Sequence, residues 1–423
     1  MRIRLLTMGS RGDVQPLVAL AAGLARAGHD VKVVSHPPFE ALARSQGLPF
    51  TAAEGDPRAL VDSPEGRAML GQGGWKALGW LRDQLVPLAE GYTRKALAAC
   101  SDADIVGTST VNLLIGQGIA ERLGKPWFAA YVVPMAETRT FPTPALPPAV
   151  RHLPGFNRVS HRLAERMLWG MTGGVFRHVR SGILGLPAYP RGGPFAGIRA
   201  SQPPLVVGIS PSVLPQPPDW PDPWRMTGYW FLPLPDGWAL PPDLEGFLRD
   251  GPPPLFAGFG SMAGPDPARD AAMLLQAASR AGARLVLSRG WGGLQASDLP
   301  PFAHAIDDVP YGGLFPRMAA ALHHAGAGTT AEAVRAGIPS IPMPFFADQP
   351  FWAWRLQELG VATRSIPYRR LSVARLHDAI RQVLADASMQ DRARALGRRV
   401  QSEDGVATAV QVLHHEFDRR GWR

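Results

Sequence analysis

Four short segments carry residues able to do chemistry, and each follows an apolar run. The strongest is His323-His324-Ala325-Gly326-Ala327-Gly328-Thr329-Thr330. Its pattern predicts a strand ending at His323, a glycine-rich turn, and a helix opening at Thr329 or Thr330. Backbone amides at such a turn, at the positive end of a helix, attract anions. Thr329 and Thr330 add hydroxyl donors and His324 an imidazole. A diphosphate fits this cradle. No Lys follows the glycines, so it is not a P-loop, and a tight turn with a Thr cap would read the same way. In the second segment, Pro342–Pro350, Asp348 and Gln349 can accept from and donate to several hydroxyls at once, which suits a sugar. A plain helix cap at Asp348 is the competing reading. The third, Gly9-Ser10-Arg11-Gly12-Asp13-Val14-Gln15-Pro16, offers Asp13 either as a carboxylate able to take a proton or as the N-cap of the next helix. In the fourth, Phe256-Ala257-Gly258-Phe259-Gly260-Ser261-Met262, Ser261 could cap a phosphate.

Alternating strands and helices must hold these segments. Strands are expected at Ile3–Met8, Asp30–Ser35, Pro49–Ala52, Ile105–Thr108, Trp127–Val132 and Leu205–Ile209. Helices are expected at Val14–Ala27, Leu114–Leu123 and Leu163–Ile183. Pro134–Pro154 reads as a long irregular loop. Pro211–Pro223 holds six prolines, a stiff connector. The alternation then restarts with strands at Leu255–Phe259, Arg284–Ser288, Ala303–Ile306, Ala320–His323 and Ser340–Met343. Helices Val373–Ala385, Gln390–Gln401 and Val406–Arg419 close the chain. This is an α/β architecture of two parallel sheets with a cleft between them, and ligands of open α/β sheets bind at strand C-terminal ends. The expected division is 1–210, a connector 211–240, 241–400, and a final helix at 401–423.

Composition narrows the class. At about 100–200 residues per domain, 423 residues imply two to three domains. With 46% hydrophobic and 19% charged residues the chain is globular. The lone Cys100 excludes an intrachain disulfide and a cysteine-rich metal site. No apolar run reaches the ~18 residues of a spanning helix, and Met1 leads straight into a strand, so a soluble cytoplasmic protein is expected. The net charge of +9 raises nucleic acid as a partner. Against it, the bases are 40 Arg to 4 Lys, a coding bias. Eight of the Arg, against one acid (Glu165), lie between Arg151 and Ala200 with no nucleic-acid-binding signature. Nucleic acid is therefore set aside. Residues 151–200 instead offer a basic amphipathic helix as a peripheral membrane contact, with a solvated face as the simpler reading. Trp75, Trp80, Met167 and Trp169 are candidates to line an apolar channel, though such residues at helical spacing are more often core. His414 and His415 read as a solvated face.

Taken together, "GSRGDVQP", "GFGSM", the segment opening "HHAGAGTTAEAVRAGIPSIPMPFFADQP" and Gln401-Ser402-Glu403-Asp404-Gly405-Val406-Ala407 resemble the bacterial sterol-glucosyltransferase-like and antibiotic glycosyltransferases of glycosyltransferase family 1. The resemblance implies the GT-B fold, two Rossmann-like domains facing a central cleft. It implies an inverting, metal-independent transfer of a hexose from a UDP- or dTDP-sugar to a hydroxyl of a lipophilic acceptor, with no cofactor besides the co-substrate. By it, Ser261, His324, Gly326, Gly328, Thr329 and Thr330 hold the diphosphate. Phe346, Asp348 and Gln349 hold the donor sugar, Trp291 and Val309 lie at the nucleobase, and Asp13 is the base. Trp75, Trp80 and Met135 meet the acceptor, in the variable part at roughly 55–200. The last helix crosses back to the first domain. Two departures from the family pattern stand out: Tyr311-Gly312-Gly313 where a His or other polar residue is usual, and Ala325 within the "HHGG" motif. Two alternatives stay open: a GT-B sugar-nucleotide epimerase or hydrolase, and a non-catalytic partner that binds nucleotide sugar or lipid.

Overall fold

A computed structural model describes residues 1–54, 74–146, 155–260, 266–289 and 299–422, leaving aside the side chains of 74–85. The first sheet has seven parallel strands in the order β3-β2-β1-β4-β5-β6-β7. They are β1 (Arg2–Leu6), β2 (Asp30–Ser35), β3 (Phe50–Ala52), β4 (Ile105–Ser109), β5 (Trp127–Tyr131), β6 (Leu205–Val207) and β7 (Trp224–Met226). Between and after them run α1 (Arg11–Arg26), α2 (Glu40–Arg44), α3 (Gly74–Ala99), α4 (Leu113–Leu123), α5 (Phe156–Arg177) and α6 (Phe195–Ser201). The second sheet has five parallel strands in the order β10-β9-β8-β11-β12. These are β8 (Leu255–Gly258), β9 (Leu285–Ser288), β10 (Ala303–Ile306), β11 (Ala320–His323) and β12 (Ser340–Pro342). Its helices are α7 (Pro242–Arg249), α8 (Pro267–Arg280), α9 (Tyr311–Leu314), α10 (Ala327–Ala336), α11 (Gln349–Glu358), α12 (Val373–Ala385), α13 (Ala387–Gln401) and α14 (Gly405–Arg419).

Strands buried on both faces read as unbroken apolar runs rather than alternating ones. Leu5, Val33 and Ile105 pack toward α1 and α14, while their neighbours Leu6, Val34 and Val106 pack toward α3 and α4. In the second sheet Leu255, Ala257 and Leu322 face α8 and α12, and Phe256, Val286 and Ala321 face α7 and α9.

Strand order reverses beside β1 in the first sheet, between β1 and β4. It reverses beside β8 in the second, between β8 and β11. Those are the crevices where open α/β sheets bind ligands. Asp13 follows β1, and the His324–Thr330 turn follows β11 with Gly260 of β8's loop beside it.

The differences from expectation have local causes. β7 lies inside the segment read as connector: Leu205 and Val207 pair with Trp224 and Met226. The prolines therefore form a loop that returns the chain to the sheet edge, and three residues were too few to show a period. α1 opens at Arg11, not Val14, because Ser10 is its N-cap and Asp13 stands at the third helical position. Pro16 stands inside the helix, one turn past its start, and has no amide to donate to Gly12 O. α10 opens at Ala327, with Gly326 as N-cap, three residues before Thr330. α14 packs through Ala409, Val410, Leu413 and Phe417 onto Leu17, Leu20 and the first sheet. His414 is not on a solvated face: its Nε2 lies 2.7 Å from Nε2 of His29 at the end of α1, and only His415 is exposed.

The crossing of this last helix depends on two backbones in contact. A Cβ on Gly405 would lie 2.4 Å from the carbonyl oxygen of Tyr229 and 2.5 Å from the carbonyl carbon of Gly228. Neither atom can turn aside as a side chain would. Gly405→Ala is expected to destabilise the protein by roughly 1–3 kcal/mol, read as a lowered midpoint in chemical denaturation. An unchanged midpoint would mean that the junction yields freely.

Candidate active site

The N-termini of α1 and α10 meet across the cleft. A Cβ on Gly328 would stand 3.5 Å from the Cα of Gly12, so the two turns nearly touch. Arg11 extends the contact with an ion pair to Asp308 beyond β10. Both helices direct their positive ends at the same space. In α10 the first closed turn is Thr330 N–H to Gly326 O at 3.0 Å. The amides of Ala327, Gly328 and Thr329 precede it and have no partner within the helix. The Oγ1 of Thr330 is buried without a hydrogen-bond partner among the described residues.

The two adjacent histidines have different tasks. His323 is fully buried. Its Nδ1 accepts from Ala325 N–H at 3.1 Å and its Nε2 lies 3.1 Å from Ser340 Oγ. Burial drives its pKa down to about 3, so it is neutral, with the proton on Nε2 donated to Ser340. It bends the backbone after β11. Ala325, next in the turn, takes the left-handed conformation at φ 61°, where the family motif has Gly. His324 projects into the cleft between two glycines. A Cβ on Gly260 would come within 2.9 Å of its ring, and one on Gly326 within 2.3 Å. Burial pushes its pKa down to about 4. His324 is thus a neutral imidazole, and its Nδ1 has no partner among the described residues.

Asp13 is half-buried, and one oxygen, Oδ2, accepts from both Ser10 N–H and Ser10 Oγ at 2.8 Å. Burial raises its pKa against those two hydrogen bonds. Asp348 is the N-cap of α11, and its Oδ2 accepts from Trp352 Nε1 at 2.8 Å. Its pKa rises to about 6, first through burial and further through the charge of Asp13, against the Trp352 hydrogen bond. The two carboxylates therefore share one electrostatic space. Gln349 is buried and spends its Oε1 on the amides of Phe345 (2.8 Å) and Phe346 (3.3 Å). Phe346 is exposed, beside Ala347 at φ 56°.

Val309 is a core residue, its side chain buried in the cluster with Phe256, Leu314 and Phe315. Tyr311 stacks on Phe315 at 4.6 Å between ring centroids and packs against Phe256; its ring supports the loop from within. Ser261 and Trp291 lie outside the described residues, as do the side chains of Trp75 and Trp80. Among the described residues no three His, Cys, Asp or Glu side chains gather as a metal site.

Met135 lines a cavity of about 230 Å³ under α5 and α6, against β5–β7 of the first sheet. Ala129, Tyr131, Leu205 and Trp224 form its floor, and Ala164, Met167, Leu168, Met171, Phe195 and Ile198 its roof. Met167 is thus a cavity residue, while Trp169 is core, packed edge-on against Tyr189. Sequence reasoning missed the polar members. Glu165 meets Arg199 at 2.5 Å, and burial raises its pKa despite Arg199. Burial also pushes Glu137 upward, but Arg158, Arg162 and Arg199 outweigh it and hold the carboxyl below its ordinary value. Thr110, just past β4, lines the cavity, and its buried Oγ1 has no partner among the described residues. Its place after a strand beside the switch point was the one sequence signal available.

Comparison with known proteins agrees with this arrangement. Residues 3–142 match the glycosyltransferase family 28 N-terminal domain, and residues 272–414 the C-terminal domain of erythromycin biosynthesis protein CIII-like proteins. The O-mycaminosyltylonolide 6-deoxyallosyltransferase of Streptomyces fradiae is 37% identical over 430 residues, covering 99% of this chain and 98% of that protein. The sterol 3-beta-glucosyltransferase of Neosartorya fischeri is 35% identical over 435 residues, 99% of this chain; the chain spans 30% of that relative's length. The solved structure of the glycosyltransferase VinC in complex with dTDP superposes with a TM-score of 0.66 at 20% identity, over 99% of this chain and all of that one.

The raised pKa of Asp348 has a consequence for stability. In the unfolded chain an Asp ionises near pH 4, but here it ionises near pH 6. The folded state therefore holds the proton more tightly, and Asp348 costs stability progressively from pH 4 to 6 and fully above. Asp348→Asn keeps the acceptor for Trp352 and removes that cost. It should stabilise the protein at pH 8 by up to about 3 kcal/mol and have little effect at pH 4. An equal effect at both pH values would show that Asp348 does not ionise against burial. By sequence, fold and the two facing strand-to-helix turns, the chain belongs to the GT-B glycosyltransferase family that includes the macrolide and sterol enzymes.

Proposed function

We propose that this chain transfers a hexose from a UDP- or dTDP-sugar to a hydroxyl of a lipophilic small molecule of sterol, macrolide, polyphenol or glycolipid type, inverting the anomeric carbon without a metal. The observation that carries the reading is the meeting of the first turn of α1, which holds Asp13, with the N-terminus of α10 across one cleft, with an apolar cavity against the same first sheet. The amides of Ala327, Gly328 and Thr329, the hydroxyls of Thr329 and Thr330 and the imidazole of His324 take the diphosphate, with Gly326 and Gly328 leaving room for it. Ser261 reaches it from the other sheet. The sugar hydroxyls fall to Asp348 and Gln349 beside Phe346, and the base to the backbone at Val309 and to Trp291. The acceptor enters past Met135, with Trp75 and Trp80 on the same side. The dTDP bound by VinC supports a nucleoside diphosphate donor. The lone, buried Cys100 accords with a cytoplasmic setting.

The chemistry follows from acidity. An aliphatic hydroxyl is far too weak an acid to ionise beforehand, so its proton leaves as the new C–O bond forms. Asp13 accepts that proton late in the transition state, and burial, by raising its pKa, makes it a stronger base than an exposed carboxylate. The bond from the anomeric carbon to the diphosphate oxygen breaks, and its electron pair stays with the diphosphate. The α10 amides and His324 are already aimed at that growing charge. One attack from the opposite face inverts the carbon, so no enzyme nucleophile is needed. A hydrolase or epimerase would have no use for the cavity, and its presence favours transfer over those alternatives. A non-catalytic binder would have no use for a carboxylate with a raised pKa at the cleft floor.

Asp13→Asn preserves shape and one acceptor oxygen for Ser10 while removing basicity. Turnover with a hydroxyl acceptor should fall by about 10²–10⁴ with nucleotide affinity unchanged. Transfer at the wild-type rate would leave Asp13 only a capping role. Free UDP or dTDP should raise the melting temperature, by about 2.7 kcal/mol of linkage at one hundred times Kd, and His324→Ala should shrink that shift. No shift with either nucleotide at millimolar concentration would overturn the donor site.

A further inference from the structure

Nine large apolar side chains are exposed among the described residues, and five of them sit on α5: Val159, Leu163, Met167, Leu168 and Met171. Four recur at intervals of four, which places them in one stripe along the helix. From Val159 to Met171 the stripe runs about 18 Å at 1.5 Å per residue. Met167, Leu168 and Met171 also line the cavity. The stripe and the cavity roof are therefore one continuous apolar surface.

A second row runs beside it. Arg158, Arg162 and Arg166 each precede a stripe residue by one position, so they form a basic flank along the same helix. Arg158 and Arg162 reach Glu137 yet stay 46% and 55% exposed. Arg166 is exposed and forms no ion pair among the described residues. The only acid on the helix, Glu165, is turned inward to Arg199. The outward face of α5 is thus apolar and cationic, with no exposed carboxylate. This pairing fits a surface that is oily and anionic together, which is the boundary of an anionic bilayer. A protein partner would have to bring its own acids to the arginines and its own apolar ridge to the stripe.

We propose that this face of α5 docks on an anionic membrane surface, so that a lipophilic acceptor passes from the bilayer into the adjoining cavity. The second half rests on the acceptor reading given above; the docking itself does not. No described helix is long and apolar enough to cross a membrane, so the contact is peripheral. The helix lies along the interface with its stripe among the acyl chains and its arginines at the phosphates.

The test is co-sedimentation of the full chain with phosphatidylcholine vesicles, with and without phosphatidylglycerol. Wild type should bind the mixed vesicles, and added salt should weaken the binding. The double variant Val159→Gln, Leu163→Gln alters two stripe residues that do not line the cavity, and its binding should fall roughly tenfold. Arg166→Gln should lower binding to the mixed vesicles by about fivefold and leave neutral vesicles unaffected. Transfer to an acceptor dispersed in detergent should be unchanged in these variants, and transfer to the same acceptor held in vesicles should fall with binding. Wild type that ignores anionic vesicles, or a double variant that binds like wild type, overturns the docking. So does a wild-type dimer that the double variant splits, because the stripe would then be a protein interface. Vesicle binding without transfer to any acceptor would sink the acceptor reading and leave the docking standing.

Discussion

A helix begins with amides that have no partner in their own helix, and this protein aims two such beginnings at one space. α1 leaves β1 and α10 leaves β11, each beside the point where its sheet reverses strand order. Gly12 and Gly328 let the two turns approach almost to contact. The positive ends of both helices then act on whatever occupies the cleft. Much else serves to hold those ends in place. His323 is buried and neutral so that its ring can fix the backbone after β11. The last helix returns across the molecule to pack on α1, joined to the segment after β7 through Gly405.

The turns were legible in the sequence because their cause is local. Strands buried on both faces appear as short apolar runs, and a glycine-rich stretch behind one of them has few uses. Eleven of the twelve strands among the described residues were legible, most of them as such runs. β7 could not, since three residues amid prolines carry no period. Helix starts were misplaced by three residues at both Asp13 and Thr330, for one reason. A helix N-terminus is set by which residue's carbonyl first accepts from the amide four residues on, and Ser10 and Gly326 take that place without an apolar signal.

The cavity was not legible, because no single segment makes it. Its floor comes from β5, β6 and β7, its roof from α5 and α6, and its rim from the loop at Met135. Nor did the arginines of 151–200 disclose their partners. In the sequence they are a block of like charge with one acid; in the fold three of them converge on Glu137, which arrives from another segment. Such a block reads as solvated or membrane-facing; in the fold Glu137 answers part of its charge and Glu121 holds Arg180, while Arg158 and Arg162 stay half-exposed and Arg166 faces outward. The division between His323 and His324 was equally hidden. Adjacent residues at the end of a strand point to opposite sides, and the sequence does not say which side is the core.

Two carboxylates, Asp13 and Asp348, face the cleft, and their surroundings separate their roles. Both lie at the start of a helix, where the dipole favours the charged form. Asp13 has one oxygen, Oδ2, held by Ser10 through two hydrogen bonds, which orients the carboxylate. Asp348 is held by the indole of Trp352 and is pushed further toward the neutral form by Asp13 itself. The coupling has a direction. While Asp13 is ionised, Asp348 keeps its proton to higher pH than burial alone would give. Were Asp13 to take up a proton, in the role proposed for it, its negative charge would be gone and Asp348 would ionise more easily. An anion held at α10, as proposed, would add negative charge to the same space and favour the proton on both carboxylates.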